Sequence, residues 1–296
     1  MIDKKADQQR VIPILKALLV TFLWSSSYVL IKMGLIEILP LTFAALRYTT
    51  AFLILVLVMI LKGRARPLHR PSSIEWLTLI CVGAFGYAGA QGLQFVGLHY
   101  IPVILASFLL NFSPVFVVLL GAGFLHEIPT IAQTIGIVVA LAGAYVFFGN
   151  PLQSFEAFGV FITLLSGLCW AVYMIIARSL QKTGRIPTLE MTTVTMGAGA
   201  VILLVSGFAL EGPPSVPSSG WVIIGWLSIV NTVAAFYLWN QVLESVKAYE
   251  LSMLQNTMLV QTSLMALIFL GEQVTVDMIL GMILVLSGVT LVQARR

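Results

Sequence analysis

Ten apolar stretches follow one another along the chain, at about residues 13–34, 40–61, 74–96, 101–122, 130–148, 158–178, 188–210, 218–242, 249–270 and 275–293. Each is close to the ~20 residues that an α-helix needs to cross the hydrocarbon of a bilayer. Within them the hydrophobic residues run on without alternation, as in Phe52 to Leu61 and Gly136 to Phe148. A membrane β-barrel instead needs alternating segments of roughly ten residues. In lipid every backbone amide must find an internal partner, so unbroken apolar stretches fold as helices. The pattern predicts an all-α integral membrane protein of ten transmembrane helices.

Composition agrees. Hydrophobic types make up 59% of the 296 residues and charged types 9%. A soluble domain carries roughly a quarter charged residues, so water cannot be the solvent for most of this surface. Nothing outside the apolar stretches is long enough for a separate soluble domain. Cys81 and Cys169 lie within apolar stretches and read as small buried hydrophobes rather than a disulfide framework or metal site. The first stretch is too long for a signal peptide, lacks a small-residue cleavage site and runs into Lys32 and Met33, so it is expected to be retained.

The net charge of +4 is less informative than its placement. Lys4, Lys5 and Arg10 precede the first stretch. Lys62, Arg64, Arg66 and Arg70 follow the second. Arg178, Lys182 and Arg185 follow the sixth, Lys247 the eighth, and Arg295 and Arg296 close the chain. If the helices alternate, all of these face one side. The opposite loops, near Glu37, His99, Glu156, Glu211 and Glu272, hold no Lys or Arg, and Lys32 is the one cation near that side. Basic loops stay cytoplasmic. The expectation is a multi-pass protein of the cell (inner) membrane with both termini, including the tail 1–12, in the cytoplasm. The partners implied are the lipid bilayer and a small-molecule solute, with no nucleic acid, and the chain is expected as a monomer or homodimer.

The chain also repeats itself. Phe124-Leu125-His126-Glu127 matches Phe269-Leu270-Gly271-Glu272, and the same offset pairs Thr130 with Thr275, Gly136 with Gly281, Leu141 with Leu286 and Gly143 with Gly288. One helix earlier it pairs Ser107 with Ser252, Leu109 with Leu254, Asn111 with Asn256 and Val115 with Val260. Trp24 and Trp170 correspond one residue off this register. Apolar helices coincide at Leu and Val by chance, but seldom also at Glu, Asn, Thr and paired glycines. The halves are 13–148 and 158–293, each of five helices. An odd count makes the second half enter from the opposite face, giving an inverted repeat, a plan frequent among secondary transporters. A site between such halves meets each side of the membrane in turn.

Two such repeats, each with a Gly/His-Glu turn followed by a Gly-x6-Gly helix, resemble EamA-type members of the drug/metabolite transporter superfamily. So do Arg47 within Ala45-Leu46-Arg47-Tyr48 and the stretch Gly97-Leu98-His99-Tyr100-Ile101-Pro102 leading into Ala106-Ser107. The resemblance covers nearly the whole chain. It implies export of amino acids, related metabolites or drugs by alternating access. Small multidrug relatives in that superfamily use a deep glutamate in the first helix, where this chain has Trp24-Ser25-Ser26-Ser27. Proton coupling through a central carboxylate is therefore not expected.

Polar residues inside membrane helices are costly and are functional candidates by default. Tyr87, Gln91 and Gln94, at i, i+4 and i+7, share one α-helical face. Asn111 lies near Pro114 in the fourth helix, and Asn256 is its counterpart in the ninth. Asn240 lies in the eighth. Trp24 and Tyr28 in the first helix, with Trp170 and Tyr173 in the sixth, supply aromatic walls. Together they suit a near-neutral pocket that prefers zwitterionic or uncharged solutes. The competing reading of each is hydrogen-bonded packing between helices. Arg47, two turns into the second helix, is either an outer-interface anchor or the partner of a substrate carboxylate or helix-end carbonyl. Glu127 and Glu272 read as carboxylates at helix N-termini. Gly136, Gly143, Gly281 and Gly288 read as close-packing positions of a scaffold. There is no Walker A sequence and no carboxylate mid-helix. No cofactor or metal is expected. A membrane-embedded lipid-modifying enzyme would need a His, Asp or Glu cluster that the sequence lacks. A channel or structural subunit is disfavoured only by the duplication.

Overall fold

The helices begin and end where local chemistry dictates. The computed structural model describes residues 4–62, 72–124, 130–148, 156–182, 185–243 and 248–293, with the side chains of 4–11, 122–124, 178, 181–182, 240–241, 243, 248–253 and 293 outside the description. No strand occurs among the described residues. The helices are α1 (Lys4–Gly34), α2 (Pro40–Leu61), α3 (Ser73–Tyr100), α4 (Val103–Gly121), α5 (Ile131–Phe148), α6 (Ala157–Lys182), α7 (Thr188–Glu211), α8 (Ser218–Trp239), α9 (Ala248–Leu270) and α10 (Val276–Gln293). Pro40 starts α2, where its missing N–H is no loss. Reciprocal capping boxes, Ser72 with Glu75 and Thr130 with Gln133, start α3 and α5. Gly212 and Gly271, at φ 83° and 66°, turn the chain beyond α7 and α9.

Eight of these helices, α1 to α8, are long and apolar enough to cross a membrane. The apolar parts of the other two, Leu254–Leu270 and Val276–Val292, are shorter. The outward surface is rich in large apolar side chains such as Leu57, Val138, Phe161, Val205, Phe208 and Ile268. With water as solvent that would be a severe liability, and with lipid it is the expected surface. The chain is a multi-pass membrane protein.

Interhelical packing has a simple order. α5 lies against α10, α2 against α7, and α4 against α9. α1 packs on α8 and α9, α6 packs on α3 and α4, α2 meets α8, and α7 meets α3. Replacing each of α1–α5 by its counterpart in α6–α10, and the reverse, carries each of these packings onto another. The most extensive packing is between α5 and α10. A Cβ at Gly288 would lie 2.5 Å from both the Ala140 nitrogen and the Gly136 oxygen, and one at Gly143 would lie 2.8 Å from the Gly281 oxygen. The small residues expected to form a scaffold thus meet glycine to glycine.

Backbone irregularities follow the repeat as well. α3 contains a π-helical segment, Ala84–Gly92, and α8 contains another, Ile229–Ala234. Their first residues are 145 positions apart, as are Asn111 and Asn256. The first has glycine at 86, 89 and 92, with Gly83 just before it, which weakens the α-helical preference. These glycines also admit neighbours. A Cβ at Gly86 would strike the Tyr173 ring, and one at Gly83 would strike the Thr195 carbonyl. In the second, the Thr232 hydroxyl donates to the Leu227 carbonyl five residues back, at 2.9 Å. Such π insertions occur frequently at functional sites.

One expectation about the turns changes. Glu272 does not serve the helix that follows it. Its carboxylate accepts from the Val103 and Ile104 amides, at 2.6 and 2.9 Å, at the start of α4. The start of α10 is capped instead by Thr275, whose hydroxyl accepts from Met278. Glu211 does the same across the bundle, accepting from the Leu41 and Thr42 amides of α2 at 2.8 and 2.7 Å. Free amides and the helix dipole favour a carboxylate at both places. Glu127 lies outside the described residues. Lys32 supplies the opposite sign, donating to the Leu98 and Ile101 carbonyls at the end of α3. Glu272→Ala is expected to cost about 1–2 kcal/mol and lower the thermal unfolding midpoint in detergent, with Glu272→Gln losing less. An unchanged midpoint for the alanine variant would show the cap to be inert.

Candidate functional site

The π segment of α3 brings Tyr87 and Gln91 to face α2. The Tyr48 hydroxyl donates to the Gln91 Oε1 at 2.8 Å. The Tyr87 ring meets the Tyr48 ring edge-on at 5.6 Å and the Tyr173 ring at 6.2 Å, and Tyr173 stacks on Trp170 at 4.8 Å. An aromatic run thus crosses from α2 through α3 to α6 with one hydrogen-bonding amide beside it. Tyr48 and Tyr87 are buried, while Gln91, Trp170 and Tyr173 are half-buried. A π turn closes at i+5, so the i, i+4, i+7 spacing no longer defines a simple stripe. Gln94, just past the segment, is buried.

Trp24 joins a second aromatic group, at 5.6 Å from Phe236 and 5.1 Å from Trp239 of α8. One turn further along α1, Tyr28 is half-buried and packs against the main core. Asn231, in the second π segment, ties α8 to α1 by donating to the Leu23 carbonyl and to the Ser26 hydroxyl. Its Oδ1 is buried without a partner among the described residues. Gln261 of α9 donates to Thr21 and Thr257 and accepts from Ser25. The bonds to Thr21 and from Ser25 are between-helix packing of the kind that membrane helices use generally.

Arg47 is buried between α2, α3 and α8. Its Nε donates to the Thr232 Oγ1 at 3.1 Å, and the Ser228 hydroxyl donates to its carbonyl at 2.9 Å. Its guanidinium carbon lies 5.3 Å from the Tyr48 ring centroid and 5.8 Å from that of Phe95. Its side chain is thus enclosed by protein rather than spread on the outer surface.

The two asparagines predicted as a pair have hydrogen bonds of their own. Asn111 donates to the Ser107 carbonyl of its own helix at 2.9 Å, where α4 breaks. Pro114 has no N–H for the carbonyl of Leu110, and the Ser113 hydroxyl takes that carbonyl at 2.7 Å. Asn256 is buried, with its amide 3.5 Å from the Thr290 hydroxyl of α10. The side chain of Asn240 lies outside the described residues. The residues that sequence reasoning missed are Tyr48, Thr232 and Ser228. Tyr48 had a signal, since it adjoins Arg47, but only a fold reveals that Gln91 faces it. A groove of about 470 Å³ between α2 and α7, lined by Thr42, Leu46, Leu204, Phe208 and Pro214, holds none of the candidate residues. It lacks the few placed polar groups that orient a solute.

Comparison with known proteins fits this geometry. The EamA-like transporter family matches twice, over residues 11–149 and 157–293. An uncharacterized transporter of Bacillus subtilis, YoaV, is 26% identical over 91% of this chain and 92% of its own. A protein of Salmonella typhimurium named "Probable amino-acid metabolite efflux pump" is 27% identical, over 92% of this chain and 91% of its own. A solved crystal structure described only as that of a protein aligns with a TM-score of 0.65 at 21% identity. That alignment covers 94% of this chain and 95% of the other, a likeness of fold.

Proposed function

The chain belongs to the EamA-like transporter family, and from that membership we propose that it is a secondary transporter that exports small organic solutes by alternating access. In this reading ten helices span the membrane as two inverted five-helix repeats, 13–148 and 158–293, with both termini cytoplasmic. The observation that carries the reading is the exchange symmetry of the bundle. The main helix packings are preserved when the halves are swapped, and the π segments of α3 and α8 begin 145 residues apart. Two similar halves of opposed orientation have two similar arrangements, one open to each side. Repacking between them needs interfaces that fit in either state, and small residues on α3 supply such surfaces.

The site lies where α1, α2, α3, α6 and α8 meet. Tyr87, Gln91, Trp170 and Tyr173, with Tyr48 beside them, form an apolar wall with one placed amide, the composition of a small-solute pocket. Trp24 and Tyr28 stand on α1, the counterpart of α6. Amino acids and related metabolites are the solute class, an assignment supported by the name of the Salmonella relative; drugs are the alternative. Purified protein in proteoliposomes, screened with radiolabelled amino acids and cationic drugs, is expected to move at least one amino acid well above protein-free vesicles. Flux confined to cationic drugs would reverse the substrate assignment, and no flux of any solute would remove the transporter reading.

A further inference from the structure

Arg47 is 4% exposed and stands seven residues past Pro40, roughly 10 Å along α2. An ionised group held there needs compensation. The protein supplies little of it. Among the described residues Arg47 has no ion pair, and its one side-chain hydrogen bond is from Nε to Thr232. The Thr232 hydrogen is already committed to the Leu227 carbonyl, so only the lone pair of that oxygen faces the guanidinium. The faces of the guanidinium are flanked by the Tyr48 and Phe95 rings. Nη1 and Nη2 remain, and among the described residues neither has an acceptor.

That remaining edge presents two parallel N–H groups, the fork that binds a carboxylate at two points. The other contacts hold the fork in place. Nε is fixed by the second π segment through Thr232, and the Ser228 hydroxyl shares its hydrogen between the Ile224 and Arg47 carbonyls. Tyr48 links the same turn of α2 to Gln91 and Tyr87. We propose that Arg47 anchors the carboxylate of the transported solute, so that the substrates are carboxylate-bearing solutes and cations lacking one are disfavoured. The proposal rests on the transporter reading above and names the substrate class of that site. A bound carboxylate neutralises the buried guanidinium, so the loaded site carries no uncompensated charge from this pair. A phosphate dianion would leave one negative charge unmatched, since no second buried cation accompanies Arg47 among the described residues.

The test uses the full chain in proteoliposomes with a panel of radiolabelled L-amino acids and, in parallel, the amides of the same amino acids, each corrected for leak through protein-free vesicles. Wild type is expected to move at least one amino acid about tenfold or more faster than its amide, the scale of a charge-assisted hydrogen bond. Arg47→Gln is expected to lower the amino-acid flux about tenfold more than the amide flux, and Arg47→Lys to recover part of the difference. Equal fluxes of acid and amide in wild type overturn the anchor while the transporter reading stands. So does an equal loss of both in Arg47→Gln, or stronger inhibition by phenyl phosphate than by phenylacetate. The wild-type comparison decides even if the variants do not fold. No flux of any acid or amide in wild type removes the transporter reading, and the anchor falls with it.

Discussion

Replacing Gln91 by leucine is expected to abolish most solute transport while leaving expression and membrane insertion near normal. Leucine is inexpensive in a membrane helix, so the helix itself does not suffer. The loss is local. Gln91 Oε1 is the acceptor for the buried Tyr48 hydroxyl at 2.8 Å. Without it that hydroxyl is left unpaired, at about 1–3 kcal/mol, beside the ring that orders Tyr87 and flanks Arg47. The wall also loses its placed amide. A fall in flux of ten- to a hundredfold follows if solute binding bears that cost. Gln133 is the control. It closes the capping box at the start of α5 with Thr130, so Gln133→Leu should cost about 1 kcal/mol of stability and leave flux per folded molecule nearly unchanged. Normal transport by Gln91→Leu would remove this face from the site.

Gly288→Leu is expected to damage folding severely. Even a Cβ there would lie 2.5 Å from the Ala140 nitrogen and the Gly136 oxygen, and backbone atoms cannot rotate away as a side chain can. Overpacking in a core that can adjust costs about 1–3 kcal/mol. Here α5 and α10 must separate, and the dispersion contacts along their whole interface go with it. Monodisperse protein in detergent should largely disappear on size-exclusion chromatography. Gly225→Ala, at a glycine whose added Cβ meets nothing within 4 Å, should be tolerated. Recovery of Gly288→Leu at wild-type yield would mean that this interface opens freely.

Much of this bundle is legible in the sequence because lipid simplifies the code. Unbroken apolar stretches found the helices, and the pairing of Gly136 and Gly143 with Gly281 and Gly288 marked both the repeat and one of its close backbone contacts. The site was legible only in part. Tyr87, Gln91, Trp170 and Tyr173 were picked out by polarity and aromaticity, and the structure brings them together. Tyr48, Thr232 and Ser228 were not, because a π insertion leaves no hydrophobic period to read and a hydrogen bond between distant helices leaves no spacing. Glu272 was recognised as a helix-terminal carboxylate but assigned to the nearest helix in sequence. Its partner, the start of α4, is 169 residues away from it, and only three-dimensional packing reveals it. Asn111 and Asn256 match in sequence, yet one bonds within its own helix and the other faces α10.

Counterflow tests the central claim most directly. Proteoliposomes preloaded with an unlabelled amino acid that wild type carries are diluted into a trace of the same labelled solute. A carrier that exposes one site to each side in turn returns loaded more often than empty, so the label should rise transiently above its equilibrium level and then decay. The overshoot should shrink with Gln91→Leu. A label that climbs monotonically to equilibrium, at a rate indifferent to the internal load, would contradict alternating access and describe a channel instead.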